Sequence, residues 1–274
     1  MVRGETLQDM DLHPESDPYA SRAPLYGERV PTYRDPELVL AMLEGLHLDI
    51  PLRALDLAAG QGDASRHLRA LGADVTYVDR SREMLDVGIN RGLIPDRKAF
   101  RLDLSSIPLP FQPESFDVVT MRYALHDILD KHLFFMEVAR LLTLRGSFQI
   151  VDMCASDGPT LNFLDTIHSL KTTRQRPEQV SVATESALQK LATNSGFIVS
   201  DTRWYRSQVS AEDWLAEGQI TPDRHEQLRA IVGEWTSGNP TQAQDLRIRL
   251  SNTSFQLEFP VIVMTFRWPG VTRE

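Results

Sequence analysis

Five short apolar runs alternate with stretches of helical periodicity between residues 53 and 152. We predict strands at these runs, at Arg53–Leu57, Asp74–Val78, Lys98–Leu102, Phe116–Met121 and Ser147–Asp152. The helices predicted between them are Ala64–Leu71, Ser81–Asn90 with Ser81 as N-cap, and Lys131–Leu142 with a stop signal at Arg145-Gly146. Strands that alternate with helices indicate βαβ units, and therefore a doubly wound, mostly parallel sheet.

The rhythm changes after Asp152. Residues 154–180 form a first insertion with a helical middle at Thr160–Leu170, and a helix at Thr184–Asn194 follows it. A sixth strand is predicted at Gly196–Tyr205, a second insertion at 206–252, and a last strand at Phe255–Phe266. The alternation of the last strand suggests an edge hairpin strand.

The predicted fold is therefore α/β, with a doubly wound, mostly parallel, seven-stranded sheet in a single domain over residues 1–274. Residues 53–152 are the expected ligand-binding core. Because ligands bind at the carboxyl ends of parallel strands, the insertions after the fifth and sixth strands are placed to act as lids. Residues 1–35 are polar, contain several prolines and are predicted as an irregular arm, with a helix at 36–47 behind it.

Composition narrows the classes of function. The formal net charge is −9, whereas a nucleic-acid-binding protein usually presents a basic face, so no nucleic-acid partner is expected. A single cysteine, Cys154, can form neither an internal disulfide nor a cysteine-based metal site, which fits a reducing cytoplasm. The sequence offers no apolar run of bilayer length and no hydrophobic signal core at its start.

The most informative motif is a glycine turn after the first predicted strand. The strand carries Asp56, the turn carries Gly60 and Gly62, and the second strand ends at Asp79. We interpret the first glycine as allowing the chain to reverse, and the second as omitting a side chain where a ligand approaches the backbone. Asp79 is placed to accept hydrogen bonds from ribose hydroxyls.

Two nucleotide-like ligands compete for this turn, a nicotinamide dinucleotide and S-adenosylmethionine. The dinucleotide fingerprint requires glycine or alanine at its sixth position, where this chain has Ser65. A further acid, Asp103, directly follows the third predicted strand. It could accept a hydrogen bond from an adenine amino group, so we favour S-adenosylmethionine.

Several motifs together resemble one family. The turn Ala54-Leu-Asp-Leu-Ala-Ala-Gly-Gln-Gly62 is one of them, followed by Tyr77-Val-Asp-Arg-Ser-Arg-Glu-Met84, Asp103-Leu104 and Phe116-Asp-Val-Val-Thr-Met-Arg-Tyr123. They resemble class I S-adenosylmethionine-dependent methyltransferases, most closely the branch with the ubiquinone and menaquinone C-methyltransferases. The resemblance covers roughly residues 19–205, including an arm motif at Tyr19–Tyr26 that folds over the cofactor in that branch.

The resemblance implies S-adenosyl-L-methionine as cofactor and a small molecule as methyl acceptor. It assigns the cofactor site to Tyr26, Asp56, Ala58, Gly60, Gln61, Gly62, Asp79, Arg80, Met84, Asp103, Leu104, Met121 and Arg122. Asp56 would anchor the loop and could reach the cofactor ammonium through water. Arg80 and Met84 would pack on the adenine, and Met121 and Arg122 would line the methyl-donor side.

On the acceptor side the best candidate for a base is His126, because an imidazole can take a proton near neutral pH. It lies in Arg122-Tyr-Ala-Leu-His-Asp127, where relatives often read Arg-Tyr-x-x-His-His; a structural histidine bonded to the backbone is the alternative. Further residues assigned to the acceptor site are Tyr19, Tyr123, Arg176 and Trp214, although for Trp214 core packing is the favoured interpretation.

Departures from the family pattern keep other functions open. Where many relatives have Asp-Pro-Ser-His-Val, this chain has Arg176-Pro-Glu-Gln-Val180, so acceptor chemistry cannot be transferred from them. One alternative is a fold relative that binds S-adenosylmethionine but catalyses cyclisation or rearrangement; a non-catalytic partner subunit and a nicotinamide oxidoreductase are further ones. A homodimer is a possible oligomeric state. No metal is inferred, because His132, His168 and His225 lack zinc-ligand spacing.

Overall fold

The structure is a computed structural model of the 274-residue chain. It describes residues 23, 24, 26, 35–44, 46, 52–171, 181–216 and 220–269. Most of the predicted N-terminal arm, including Tyr19, and the segment with Arg176 lie outside the described residues.

The described residues form alternating strands and helices. The strands are β1 Arg53–Leu57, β2 Asp74–Asp79, β3 Ala99–Arg101, β4 Phe116–Arg122, β5 Leu142–Ala155, β6 Ala183–Thr184, β7 Ile198–Ser210, β8 Arg249–Leu250 and β9 Phe255–Arg267. The helices are α1 Pro36–Glu44, α2 Arg66–Ala70, α3 Arg82–Asn90, α4 Lys131–Leu141, α5 Gly158–Lys171, α6 Glu185–Asn194, α7 Ala211–Ala216, α8 Pro222–Gly238 and α9 Pro240–Asp245. Short 3-10 turns lie at Asp96–Lys98 and Leu125–Asp127.

Seven strands form the continuous path of one sheet, in the order β3-β2-β1-β4-β5-β9-β7. The pairs from β3 to β5 are parallel, whereas β9 runs antiparallel to both of its neighbours. The two-residue strands β6 and β8 pair with β5 and β9 off this path. The doubly wound, mostly parallel sheet predicted from the alternation is confirmed.

The last strand does not lie at the edge, so that part of the prediction is wrong. β9 lies between β5 and β7, and Val261, Ile262, Val263 and Met264 are each at most 1% exposed. A continuous apolar run of this kind is typical of a strand covered on both faces. Among the described strands, the edge on this side is β7, which ends the strand order and pairs with β9 alone.

Two predicted boundaries also need correction. The fifth strand begins at Leu142, directly after α4, and continues to Ala155. Arg145 (φ 67°), predicted as a helix stop signal, lies at an irregularity within this strand. The sixth strand continues to Ser210, held by its long antiparallel ladder with β9. The second insertion therefore begins at Ala211 and not at residue 206.

The two insertions contribute helices to one apolar cluster. Since β7 and β5 are both antiparallel to β9, their carboxyl ends lie at the same edge of the sheet, and α5 and α7 follow those ends. Phe163 of α5 stacks on Trp235 of α8, with ring centroids 3.8 Å apart. The cluster thus joins the insertions at the sheet edge where ligands bind in parallel folds.

Among the helices in the described ranges, none is both long enough and apolar enough to cross a bilayer.

Candidate active site

The glycine turn is tied to the ends of its neighbouring strands. Ala58 and Gly60 both have φ 55°, and the Ala59 amide donates to the Val78 carbonyl at 2.9 Å. The Gly60 amide donates to Asp79 Oδ2 at 2.7 Å, and Oδ1 of the same carboxylate accepts from the Ser81 amide at 2.8 Å. Asp79 therefore fixes both the glycine turn and the start of α3.

The two glycines serve different purposes, and this corrects our reading of the second. A Cβ added to Gly62 would lie 2.6 Å from Ile94 Cγ1 and 3.2 Å from Tyr77 Cε1, so Gly62 is needed for packing inside the protein. A Cβ on Gly60 would meet no atom of the described residues within 4 Å. The open side of the turn, which a ligand could approach, belongs to Gly60.

Asp56 is a buried carboxylate below the turn. It is 1% exposed and accepts from Ser65 Oγ at 2.5 Å and from Thr120 Oγ1 at 3.3 Å. Burial raises its pKa to about 6, although the Ser65 hydrogen bond and the charge of Arg122 act in the opposite direction. Ser65, which departs from the dinucleotide fingerprint, thus serves here to hold an acid under the turn.

The acids after β2 and β3 lie at adjacent strand ends. Asp79 pairs with Arg101 in the β2–β3 register, and the Leu102 amide donates to the Asp79 carbonyl at 3.0 Å. Asp103 follows directly, and its Oδ1 accepts from the Ser105 amide at 2.9 Å and the Ser105 hydroxyl at 2.7 Å. The sheet therefore brings together the two acids that were expected to bind ribose and adenine.

The side chain of Gln61 joins the turn to the N-terminal arm. Its Nε2 donates to the Ala23 carbonyl at 2.5 Å and contacts Met84 Sδ at 3.9 Å, while its Oε1 accepts from Arg91 at 2.5 Å. Gln61 and Met84 are both buried. This contact places residue 23, close to the predicted tyrosine motif, against the glycine turn.

The other cofactor candidates lie around the same sheet edge. Arg80 is exposed, Leu104 is 9% exposed, and Arg122 is half-buried at the end of β4. The side chain of Met121 is 1% exposed and packs in the main core, so only its backbone could line the methyl-donor side. Tyr26 is half-buried in a turn.

His126 lies in the 3-10 turn after β4 and is fixed by an acid of β5. Its Nδ1 lies 2.6 Å from Asp152 Oδ1, and its backbone amide donates to Asp152 Oδ2 at 3.1 Å. The two residues are 5% and 3% exposed. When the Nδ1–H group donates a hydrogen bond to Asp152, the neutral ring has its lone pair on Nε2. This is the arrangement expected of an oriented base.

The remaining acceptor candidates are not brought together in the same way. Tyr123 (φ 50°) follows β4 and packs on a small cluster around Leu38 and Val261. Trp214 is 3% exposed and lies edge-on to Phe255 in the cluster formed by the insertions, with centroids 5.9 Å apart. Cys154 is fully buried, and this burial raises its pKa to about 12, which does not suit a nucleophile.

Sequence reasoning missed two residues of this region. Asp152 ends the predicted fifth strand, so the strand-end rule applied to Asp79 and Asp103 could have identified it. His168 lies in α5 with its ring centroid 4.5 Å from that of His126, at an interplanar angle of 76°. Its distance from His126 along the chain concealed this contact.

The residues of the glycine turn fit S-adenosylmethionine. The unobstructed side of Gly60 leaves room for a ligand at the backbone, and the strand-end acids Asp79 and Asp103 suit ribose hydroxyls and an adenine amino group. When bound, the cofactor supplies a methyl group activated by a sulfonium charge.

Comparison with known proteins agrees with this geometry. Residues 55–150 match the family described as a methyltransferase domain. The chain is 27% identical over 212 residues to the uncharacterized methyltransferase YcgJ of Bacillus subtilis, covering 74% of this chain and 82% of that protein. A crystal structure of the Bacillus subtilis YcgJ protein superposes with a TM-score of 0.73 at 21% identity, over 86% of this chain and 99% of that one.

A second relative is similar over a shorter stretch. The ubiquinone/menaquinone biosynthesis C-methyltransferase UbiE of Xylella fastidiosa is 34% identical over 125 residues, which cover 43% of this chain and about half (49%) of that protein. The methyltransferase-domain match over residues 55–150 and these relatives support a class I S-adenosylmethionine-dependent methyltransferase, similar to the branch that includes the ubiquinone and menaquinone C-methyltransferases. S-adenosyl-L-methionine is its cofactor, and a small molecule is its methyl acceptor.

Proposed function

We propose that the acceptor is a small ring compound with an ionisable hydroxyl, such as a phenol or hydroquinone, and that His126 takes a proton from it. The observation that carries the proposal is the buried contact of 2.6 Å between His126 Nδ1 and Asp152. The names of relatives such as the Xylella fastidiosa quinone C-methyltransferase point to the same chemical class.

The proposed reaction follows from this placement. His126 Nε2 accepts the proton of the hydroxyl group, and the anion so formed would take the methyl group on its oxygen or on a ring carbon. In the second case the methylated ring carbon would also lose its hydrogen as a proton to solvent, which restores the aromatic ring. When bound, S-adenosylmethionine would supply the methyl group and retain the electron pair of its sulfur–methyl bond, which would give S-adenosylhomocysteine as the second product. Asp152 acts as a positioning residue, because it holds the imidazole tautomer whose Nε2 can accept a proton.

The insertions form an apolar cluster at the sheet edge where the acceptor is proposed to bind. Helices α5, α7 and α8 contribute Phe163, Trp214 and Trp235 to one cluster at the carboxyl ends of β5 and β7. We assign to these insertions the role of a lid that excludes water from the methyl transfer, which favours attack by a weak nucleophile. The arm over residues 1–35 would close the cofactor side.

The experiment uses cofactor labelled in its methyl group and a panel of phenols, hydroquinones and their oxidised forms. We expect label in the organic product with the wild-type chain, and a loss of about 100-fold in kcat for His126→Gln. The control is His132→Gln, a histidine of α4 whose Nδ1 lies 3.0 Å from Ser195 Oγ.

Two results would count against this proposal. Equal kcat in His126→Gln and His132→Gln would show that His126 is not the base. A product formed without label would instead indicate the alternative function, in which S-adenosylmethionine is bound and a cyclisation or rearrangement is catalysed.

For the cellular setting we propose a cytoplasmic homodimer without a nucleic-acid partner. The net charge of −9 disfavours nucleic acid, and the lone, buried cysteine suits a reducing compartment. Three large apolar side chains on and next to α4, those of Leu129, Leu133 and Met136, are about half exposed. Light scattering that gives a monomer mass at micromolar concentration would refute the dimer.

A further inference from the structure

His126 and Asp127 meet His168 at the boundary between the sheet and the first insertion. One ligand atom of each lies within 4.8 Å of those of the other two. His126 Nε2 lies 3.6 Å from Asp127 Oδ1, on the side of the ring opposite Asp152. We refer to His126, Asp127 and His168 as the histidine–aspartate cluster.

Several contacts hold the cluster in place. Asp152 binds both the ring and the backbone amide of His126, and the His126 carbonyl accepts from the Ser181 amide at 3.1 Å. His168 lies one turn after Asp165 in α5, and Asp165 Oδ1 accepts from the Val182 amide at 2.7 Å. The same short segment, residues 181–182, therefore contacts the 3-10 turn and α5, and so connects both sides of the cluster.

The charges around the cluster favour a cation. The carboxylates of Asp127, Asp152 and Asp165 surround this region, and all three raise the pKa of Lys131, although burial lowers it more. The ammonium group of Lys131 donates to the Ile128 carbonyl at 2.9 Å. With neutral imidazoles, three carboxylates and one ammonium leave an excess of two negative charges in these described residues.

We propose that the histidine–aspartate cluster is a binding site for a divalent transition-metal ion such as Zn²⁺. Two imidazole nitrogens and a carboxylate oxygen suit zinc and its neighbours better than magnesium or calcium, which prefer oxygen ligands. Zinc binds histidine at about 2.0–2.1 Å, so ligand atoms in a tetrahedral site lie about 3.4 Å apart. The separations of 3.6–4.8 Å need only a small contraction of the side chains.

Two further features match a metal site. The carboxylate of Asp152 on Nδ1 leaves Nε2 of His126 as the metal ligand, which is the usual second-sphere arrangement for a coordinating histidine. Three protein ligands leave a fourth position for water or for an oxygen of the acceptor, as in zinc sites that remain open.

Metal binding and the proposed base compete for the same atom. A metal ion on His126 Nε2 occupies the lone pair that would accept the proton from the acceptor. The structure thus provides a means of inhibiting methyl transfer by metal ions. This consequence rests on the proposed function, whereas the existence of the metal site does not.

The binding test is a calorimetric titration of the full chain with Zn²⁺ alone. We expect one ion per chain, and at least tenfold weaker binding in Asp127→Asn and in His168→Gln. His132→Gln should bind zinc like the wild type, and all variants should keep their affinity for S-adenosylhomocysteine, which shows that they are folded. Absence of saturable binding, or equal affinity in His168→Gln and the wild type, overturns the site.

A second measurement separates the two proposals. Zinc should inhibit methyl transfer by the wild type, and the inhibition constant should be at least tenfold higher in His168→Gln than in the wild type, with the activity of each protein normalised to its own zinc-free rate. If zinc binds through the cluster and leaves the rate unchanged or raises it, the metal site stands and the base role of His126 fails. If zinc does not bind but His126→Gln still loses activity, the base stands and the metal site fails.

Discussion

Replacing Asp56 by asparagine should stabilise the cofactor-free protein at alkaline pH. The side chain is 1% exposed, and burial is the main cause of a pKa of about 6, against 3.8 for an ordinary aspartate. A difference of about two units corresponds to about 3 kcal/mol. Asparagine avoids this cost, and its side-chain oxygen can still accept the 2.5 Å hydrogen bond from Ser65. Because the pKa of about 6 already contains the opposing effect of Ser65, we expect a gain of up to about 3 kcal/mol at pH 8.

The sign of the pH dependence follows from proton binding. Between about pH 4 and 6 the folded state keeps a proton on Asp56 that the unfolded state has lost, so the free energy of unfolding falls as the pH rises through this range. Above pH 6 the full cost is present. The advantage of Asp56→Asn should therefore be full at pH 8 and small at pH 4, where the folded state of the wild type is protonated and the unfolded state, with an ordinary pKa of 3.8, is close to half protonated.

The assay is urea denaturation of the two proteins at pH 8 and pH 4, without cofactor. Asp117→Asn is the matched control with the opposite sign. Burial acts to raise the pKa of Asp117, but hydrogen bonds from Arg53 and Thr143 outweigh it, so the net shift is downward. That variant should lose stability at pH 8 and less at pH 4. If Asp56→Asn were less stable than the wild type at pH 8, the buried-charge argument would be refuted.

Two further predictions follow from the same geometry. Gly62→Ala should lower the free energy of unfolding by about 3 kcal/mol, because Gly62 has a positive φ and an added Cβ would lie 2.6 Å from Ile94. Gly60→Ala should lower it by only about 1–2 kcal/mol, because a Cβ there meets no atom of the described residues within 4 Å. Urea denaturation measures both losses, and equal losses would contradict the different roles of the two glycines. Asp152→Asn should reduce kcat by about tenfold to 100-fold and alter the pH–rate profile while S-adenosylhomocysteine affinity is kept, and an unchanged pH profile would argue that Asp152 is only structural.

The strand and helix order could be read from the sequence because local periodicity determines it. The position of a strand in the sheet depends on contacts far apart in the chain. The run Val261–Met264 is apolar on both faces, which indicates an interior strand, whereas the alternation before it indicates an edge strand. Similarly, Arg145 does adopt the left-handed conformation typical of a helix stop signal. It lies inside β5, however, because pairing with β4 resumes at Ser147.

The same distinction applies to the site. The acids at the ends of β2 and β3 follow a positional rule of parallel sheets, so Asp79 and Asp103 could be found from the sequence. The role of Gly62 could not, because it depends on Ile94, which reaches the turn only in the folded chain. The contact between His126 and His168 likewise arises from the return of α5 over the sheet edge, which no local pattern reports.

The central claim is that S-adenosylmethionine binds at the glycine turn with its ribose on Asp79. The most direct test is calorimetric titration of S-adenosylhomocysteine into the wild type, Asp79→Asn and Asp74→Asn, the last an exposed acid at the start of the same strand. We predict one site per chain, affinity reduced about tenfold or more in Asp79→Asn, and no change in Asp74→Asn. The absence of binding to the wild type, or equal affinity in all three proteins, would contradict the account.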